Sequence, residues 1–281
     1  MTWGELKAHC EHELELAGVE RPARTTLDWF DDVFGRASRR SNEEVLSANL
    51  NTAAAQLERL VLGEPLAYVT GIAHFYGYEV LVGPGVLIPR PETEELVRWI
   101  LEKHPLRPDL KFADLCTGSG CIAVALALQR LTWRGVAVDI SPYAIKIARV
   151  NVRKHDLLEQ LDLLQSDLFG QALRKGSTYD LLVSNPPYIP SSDWHRVDDQ
   201  VARYEPKLAL EVSDDTPLRF YDRLLELGQQ HLNPDGYLYM ECNDRFVEAV
   251  AEKLRLGRWQ EVEVFVDMQG RGRHVRAMRG E

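Results

Sequence analysis

The sequence predicts an α/β fold: a mostly parallel, seven-stranded sheet with helices on both faces, preceded by a small helical bundle. Three observations carry this. From Lys111 onward short apolar runs alternate with stretches of helical period, the pattern of βαβ units and hence of a parallel sheet. The last two runs leave little room for a helix between them, so they close the sheet as a hairpin with its last strand antiparallel. The chain before Gly63 shows helical spacing only. With 281 residues, 45% of them hydrophobic and 27% charged, the chain has the composition of a globular protein with a sizeable core.

In the N-terminal part, Leu6, Cys10, Leu14 and Ala17 fall on one helical face, and Leu27, Phe30 and Phe34 continue a buried stripe. Ser41 with Glu44 reads as a capping box ahead of Val45 and Leu46, and Gly63 ends a helix begun near Thr52. Residues 1–75 carry seven Lys/Arg against twelve Asp/Glu, a net −5, which suits a surface that docks a protein better than one that clamps DNA. Residues 1–71 are therefore expected to form a helical substrate-docking domain. Residues 72–88 switch to period two: Phe75 to Val82, the Gly83-Pro84-Gly85 turn and Val86 to Ile88 predict a linking β-hairpin. Residues 89–281 form the remaining domain. Its expected strands are Phe112–Cys116, Gly135–Asp139, Leu161–Gln165, Asp180–Ser184, Gly236–Glu241, Val262–Val266 and His274–Met278, with helices near 120–130, 142–154, 216–232 and 244–256.

Composition narrows the function. The longest apolar run, Cys121 to Leu128, is too short to span a bilayer. Glu5, Lys7, Glu11 and Glu13 stand where a signal peptide needs an apolar stretch. Four cysteines form no CxxC pair, which fits a reducing cytoplasm. Thirty-three Lys/Arg against 43 Asp/Glu give −10, which disfavours stable nucleic-acid binding, because phosphate neutralisation supplies most of that affinity. Arg271, Arg273, Arg276 and Arg279 cluster at the end and read as a solvated terminal strand. His9 and His12 lie three apart on a helix with no second cluster to complete a metal site, so no metal is expected.

Ligands of such sheets bind at the carboxyl ends of the strands. Asp114-Leu-Cys116-Thr117-Gly118-Ser119-Gly120 lies where the first strand turns into a helix. Its glycines let the backbone approach a ligand, and the helix start presents free N–H groups. With Ala123 the segment satisfies GxGxxA, and Asp139, about 20 residues on, is placed to bind ribose hydroxyls. NAD and S-adenosylmethionine both fit these residues. Asp114 favours the second, since a carboxylate is unwelcome beside a pyrophosphate and suits a cationic amino group and sulfonium. Ser166-Asp167-Leu168-Phe169 follows the third strand, where Asp167 can accept from an adenine amino group.

Val183-Ser-Asn185-Pro186-Pro187-Tyr188 follows the fourth strand and is the most specific signal in the chain. Two prolines make a stiff turn without backbone donors, leaving carbonyls to accept. Asn185 adds a side-chain carbonyl and Tyr188 an aromatic face, so the group can hold a planar NH2. Such a nitrogen shares its lone pair with a π-system and is a poor nucleophile until held out of conjugation and aimed. Families that methylate the exocyclic amines of adenine and cytosine have similar Pro-Pro-aromatic loops, so the loop leaves the amine open.

Beyond the loop the chain resembles the protein-(glutamine-N5) methyltransferases of the HemK/PrmC type. The stretches that carry the resemblance are Gly63-Glu-Pro-Leu-Ala-Tyr-Val-Thr-Gly71, Leu87-Ile-Pro-Arg-Pro-Glu-Thr-Glu-Glu-Leu96, the Asp114–Cys121 loop, Ala137-Val-Asp139-Ile-Ser, Gln165-Ser-Asp-Leu-Phe169, Asn185–Tyr188 and Tyr204-Glu-Pro206. The resemblance implies a class I S-adenosylmethionine-dependent methyltransferase: a Rossmann-like domain behind a small helical lobe. It implies methylation of the glutamine in the Gly-Gly-Gln motif of class 1 peptide chain release factors. It further implies that Cys116–Gly120, Asp139, Leu168 and Asn185 contact the donor, while Asn185, Pro186, Pro187 and Tyr188 hold the glutamine. A sibling family methylates a ribosomal-protein glutamine. The Glu-Pro-Leu-Ala-Tyr and Pro-Arg-Pro-Glu-Thr-Glu segments favour the release-factor branch. The chain departs from the family at Glu241-Cys242-Asn243, where Glu-Ile-Gly is usual, and at Glu211–Asp215, where glycines are usual. Two readings of other kinds remain at this point, a nucleic-acid amine methyltransferase and a non-catalytic module that senses the donor.

Overall fold

In the computed structural model, which describes residues 1–105 and 107–280, the chain divides into two compact units. The first comprises Met1–Ile72, Val82–Pro84 and Asp198–Tyr204. Its helices are Trp3–Leu16, Pro22–Phe34, Ser47–Val61 and the short Leu66–Thr70. Trp3, Leu14, Trp29 and Phe30 fill its core, and the Trp29 indole N–H donates to Gln56 Oε1 at 2.7 Å. The segment Asp198–Tyr204 joins this unit through Tyr204 Oη and Gln200 Nε2, which donate to the carbonyls of Leu62 and Gly63.

Three details differ from the sequence expectation here. The capping box is Thr2 with Glu5, not Ser41 with Glu44. Residues 41–44 turn back on the chain start, where the N–H groups of Gly4 and Trp3 donate to the Ser41 and Glu43 carbonyls, and the next helix begins only at Ser47. Leu27 is 52% exposed, because Thr26, Trp29 and Phe30 define the inward arc and Leu27 stands about 100° round from Thr26. Ala17 is exposed because it caps its helix beyond the last turn.

The second unit holds the sheet. Its strands are β1 (Lys111–Leu115), β2 (Arg134–Asp139), β3 (Leu161–Gln165), β4 (Tyr179–Ser184), β5 (Leu232–Glu241), β6 (Trp259–Val266) and β7 (Gly272–Arg279). Their spatial order is β6-β7-β5-β4-β1-β2-β3. β1 to β5 pair in parallel, while β7 lies between β5 and β6, antiparallel to both. Helices Cys121–Gln129, Pro142–Lys154, Arg219–His231 and Val247–Leu256 form the crossovers. A further helix, Pro91–Lys103, precedes the sheet and buries Leu96, Val97 and Ile100.

Because β7 is an inner strand, its arginines are not solvated as expected. Arg276 is buried and pairs with Glu261 and Glu263 at 3.0 Å each, Arg273 meets Asp267, and Arg279 donates to the Leu232 carbonyl. The predicted hairpin also turns elsewhere. Strands Ile72–Phe75 and Tyr78–Leu81 meet at Tyr76-Gly77, whose φ values of 51° and 80° suit a tight primed turn. Residues 83–88 form no strand, and they carry Val86 and Leu87 to the cavity described next.

Candidate active site

The carboxyl ends of β1, β2 and β4 bring the candidate residues together. After β1 the chain enters the left-handed region at Cys116 (φ 62°), Gly118 (57°) and Gly120 (82°) before the helix from Cys121. A Cβ on Gly120 would stand 3.2 Å from Ala148 Cβ, so this glycine permits both the turn and the close helix approach. The Thr117 N–H donates to the Val138 carbonyl at 2.9 Å and moors the loop to β2. Asp139 then closes it: Oδ2 accepts from the Gly118 N–H at 2.8 Å and Oδ1 from the Ser141 N–H at 2.9 Å. A carboxylate offers about four acceptor positions, so each oxygen keeps capacity for a hydroxyl. Burial holds the Asp139 carboxyl above its ordinary range.

Asp114 sits differently from its expected place. It is fully buried beneath the loop, where Oδ2 accepts from Thr117 Oγ1 at 2.5 Å and from the Ala123 N–H at 3.2 Å. Its Oδ1 is buried with no hydrogen-bond partner among the described residues. Burial raises this carboxyl to about 7. Asp114 thus braces the glycine loop from behind and does not line the cavity in front of it.

That cavity measures about 320 Å³, within the ~300–1,000 Å³ range of small-molecule sites. Of the expected residues, Cys116, Gly118, Asp139, Asp167, Leu168, Asn185 and Pro187 line it; Asp114, Thr117, Ser119, Gly120, Pro186 and Tyr188 do not. Asp167 Oδ1 accepts from the Phe169 N–H at 2.9 Å, and Arg223 Nε donates to the Leu168 carbonyl at 2.8 Å. On the rim, the Arg219 guanidinium stands 4.2 Å from the Phe169 ring centroid, and Phe169 meets Phe220 edge-on at 5.2 Å. A mostly apolar hollow with two carboxylates, Asp139 and Asp167, and a glycine turn at its wall fits a nucleoside-bearing donor in size and chemistry. Burial pushes the Cys116 thiol up, so it is a packing thiol and no nucleophile.

Asn185-Pro186-Pro187-Tyr188 leaves β4 on the same side. Pro186 and Pro187 are buried, and the N–H groups of Tyr188 and Ile189 both donate to the Leu210 carbonyl, at 3.1 and 2.8 Å. Asn185 Nδ2 donates to Thr93 Oγ1 at 3.1 Å, Thr93 Oγ1 to Glu241 Oε2 at 2.7 Å, and Tyr188 Oη to Glu241 Oε1 at 3.2 Å. Burial, and Glu241 beside it, push the Tyr188 phenol up, so it remains a donor. Asn243, one of the departures, donates from Nδ2 to the Tyr188 carbonyl at 3.2 Å.

Two quoted segments meet here as well. Glu205, buried, accepts from Arg90 Nη2 at 2.5 Å and from the Ile88 N–H at 2.9 Å, which ties Pro-Arg-Pro to Tyr-Glu-Pro and sets Pro206 on the cavity wall. Sequence reasoning missed Thr93, Glu241, Arg219 and Phe220 as parts of this site. Thr93 and Glu241 stood in segments already marked by resemblance or departure, whereas Arg219-Phe220 carries no motif.

The sheet order with one antiparallel strand, and a donor-sized cavity at the carboxyl ends of β1, β2 and β4, define a class I methyltransferase, whose donor is of the S-adenosylmethionine type. A methyltransferase from Pyrococcus furiosus, 18% identical with a TM-score of 0.53, shares the fold over 81% of this chain and 100% of that one. Residues 93–202 match the model of the methyltransferase small domain. The release factor glutamine methyltransferase of Bacteroides thetaiotaomicron is 39% identical over 221 residues, 79% of this chain and 78% of that protein. Its counterpart from Streptococcus pneumoniae is 41% identical over 70% of this chain and 68% of its own. The chain belongs to the release factor glutamine methyltransferase family.

Proposed function

We propose that this protein transfers a methyl group from S-adenosylmethionine to the side-chain amide nitrogen of the glutamine in the Gly-Gly-Gln motif of class 1 peptide chain release factors. The observation that carries the reading is the buried two-proline corner, whose Asn185 and Pro187 share one cavity with Gly118 and Asp139. The donor supplies an electrophilic methyl on a sulfonium. The chain supplies the rest. Asp139 accepts from ribose hydroxyls, Asp167 from the adenine amino group, and the Gly118 turn lets the backbone close on the donor. Asn185 Oδ1 and the Pro186 carbonyl accept from the two hydrogens of the carboxamide, and Tyr188 packs against its plane.

Magnitudes support positioning as the main contribution. Amide conjugation is strong, as the ~18–20 kcal/mol peptide rotation barrier shows. Orienting bound reactants supplies ~7–11 kcal/mol, whereas a general base offers ~10²–10⁴-fold, about 3–5 kcal/mol. A corner of acceptors with no base among them therefore addresses the larger of the two. As the N–C bond forms, the S–C bond breaks and the neutral thioether S-adenosylhomocysteine is left; the nitrogen, now cationic, then loses its proton to water. The acidic N-terminal helices provide a docking surface for the release factor, and the working compartment is the cytoplasm. Incubation with tritiated donor and a purified release factor tests the reading: label on the Gly-Gly-Gln protein and none on its Gln→Ala form is expected. Equal label on both, or on nucleic acid instead, overturns it.

A further inference from the structure

Both ends of the Asn185–Tyr188 corner are fastened to one buried carboxylate. Glu241, 1% exposed, takes the Tyr188 hydroxyl on Oε1 and the Thr93 hydroxyl on Oε2, and Thr93, 2% exposed, takes Asn185 Nδ2. From this we infer that Thr93 and Glu241 are positioning residues that fix which way the Asn185 amide faces. The inference rests on reading the site as a carboxamide methyltransferase and goes beyond it.

A carboxylate only accepts, so the single hydroxyl hydrogen of Thr93 is committed to Glu241. Towards Asn185, Thr93 then has only lone pairs to offer. Asn185 must present its NH2 there, which leaves Oδ1 free to accept from a bound carboxamide. Turned the other way, Asn185 would set its NH2 against the substrate's NH2, and neither would have a partner. The amide orientation, ambiguous for an isolated asparagine, is thereby set two residues away. Tyr188, on the other arm of the same carboxylate, keeps the far end of the corner in register.

Three variants and two readouts test this. Thr93→Val is nearly isosteric but removes the hydroxyl; Thr93→Ser retains it. Glu241→Gln leaves one acceptor oxygen for two donors, Thr93 and Tyr188, so its amide can turn either way and no longer fixes how Asn185 faces. Thr93→Val should lower kcat on a Gly-Gly-Gln protein about 10- to 100-fold, the scale of one unsatisfied buried partner, with the KM for donor unchanged. Thr93→Ser should recover turnover. The second readout needs no substrate: the Asn185 side-chain NH2 resonances in ¹⁵N-labelled enzyme should shift and exchange faster in Thr93→Val and return in Thr93→Ser. Wild-type kcat in Thr93→Val, or unmoved NH2 resonances, overturns the relay. A wild type that methylates nothing while the resonances shift as described would instead overturn the substrate reading and leave the relay standing. If Glu241→Gln does not fold, the Thr93 pair still decides.

Discussion

Asp114, the last residue but one of β1, and Asp139, the last of β2, stand on neighbouring parallel strands, but their carboxyls meet different surroundings. The Asp114 carboxyl, raised to about 7 by burial, binds its proton more tightly folded than unfolded. Its contribution to stability is therefore complete below the ordinary aspartate value, near 4, and is lost as pH rises towards 7. Asp114→Asn does not titrate, so its stability relative to the wild type should grow across that window, by at most ~1.4 kcal/mol per pH unit. Denaturant unfolding at several pH values reads this directly, and a difference that ignores pH refutes it. Asp139 keeps spare acceptor capacity on the cavity wall. Asp139→Ala should weaken donor binding at least ~10-fold, since hydrogen bonds to charged groups are worth ~1.5–3 kcal/mol each. Calorimetry that finds the wild-type affinity would remove the ribose role. Asp139 was legible from the sequence because a glycine turn and an acid one strand later obey a local spacing. The same spacing marked Asp114, yet no spacing tells whether a carboxylate faces a cavity or stands behind it.

At the scale of elements, the strands and crossover helices of the sheet followed from period alone, with ends displaced by a few residues. Where the expectation failed, a backbone conformation or a partner distant in sequence decided. Tyr76-Gly77 turns the hairpin because both residues take positive φ, and Ser41–Glu44 pairs with the chain start instead of capping a helix. The helix Pro91–Lys103 brings Thr93 to Glu241 across 148 residues of sequence, a pairing that no local pattern announces. Gly120 is the element-scale weak point. Gly120→Ala would hold a side chain at φ 82° and 3.2 Å from Ala148 Cβ. The left-handed conformation alone costs ~1–2 kcal/mol, so a lower denaturant midpoint with weakened donor binding is expected. An unchanged midpoint would show that the helix start relaxes without loss.

For the molecule as a whole, the net charge of −10 and the −5 of residues 1–75 bear on the partner. Glu11, Glu15 and Glu20 are exposed in the helical unit. Reversing them to lysine should raise the KM for an intact release factor several-fold, at up to ~1 kcal/mol per exposed ion pair, and leave kcat unchanged. A fall in kcat with constant KM would place the docking surface elsewhere. Methyl transfer depends most on the corner after β4, where two prolines and Asn185 hold a flat carboxamide. Single-turnover methyl transfer, followed by mass spectrometry of the Gly-Gly-Gln peptide with donor saturating, compares the wild type with folded Asn185→Ala. A fall of ~10²-fold or more is expected, the scale seen when one preorganised hydrogen-bonding group is removed from a reacting centre. Transfer within a few-fold of wild type would contradict that dependence.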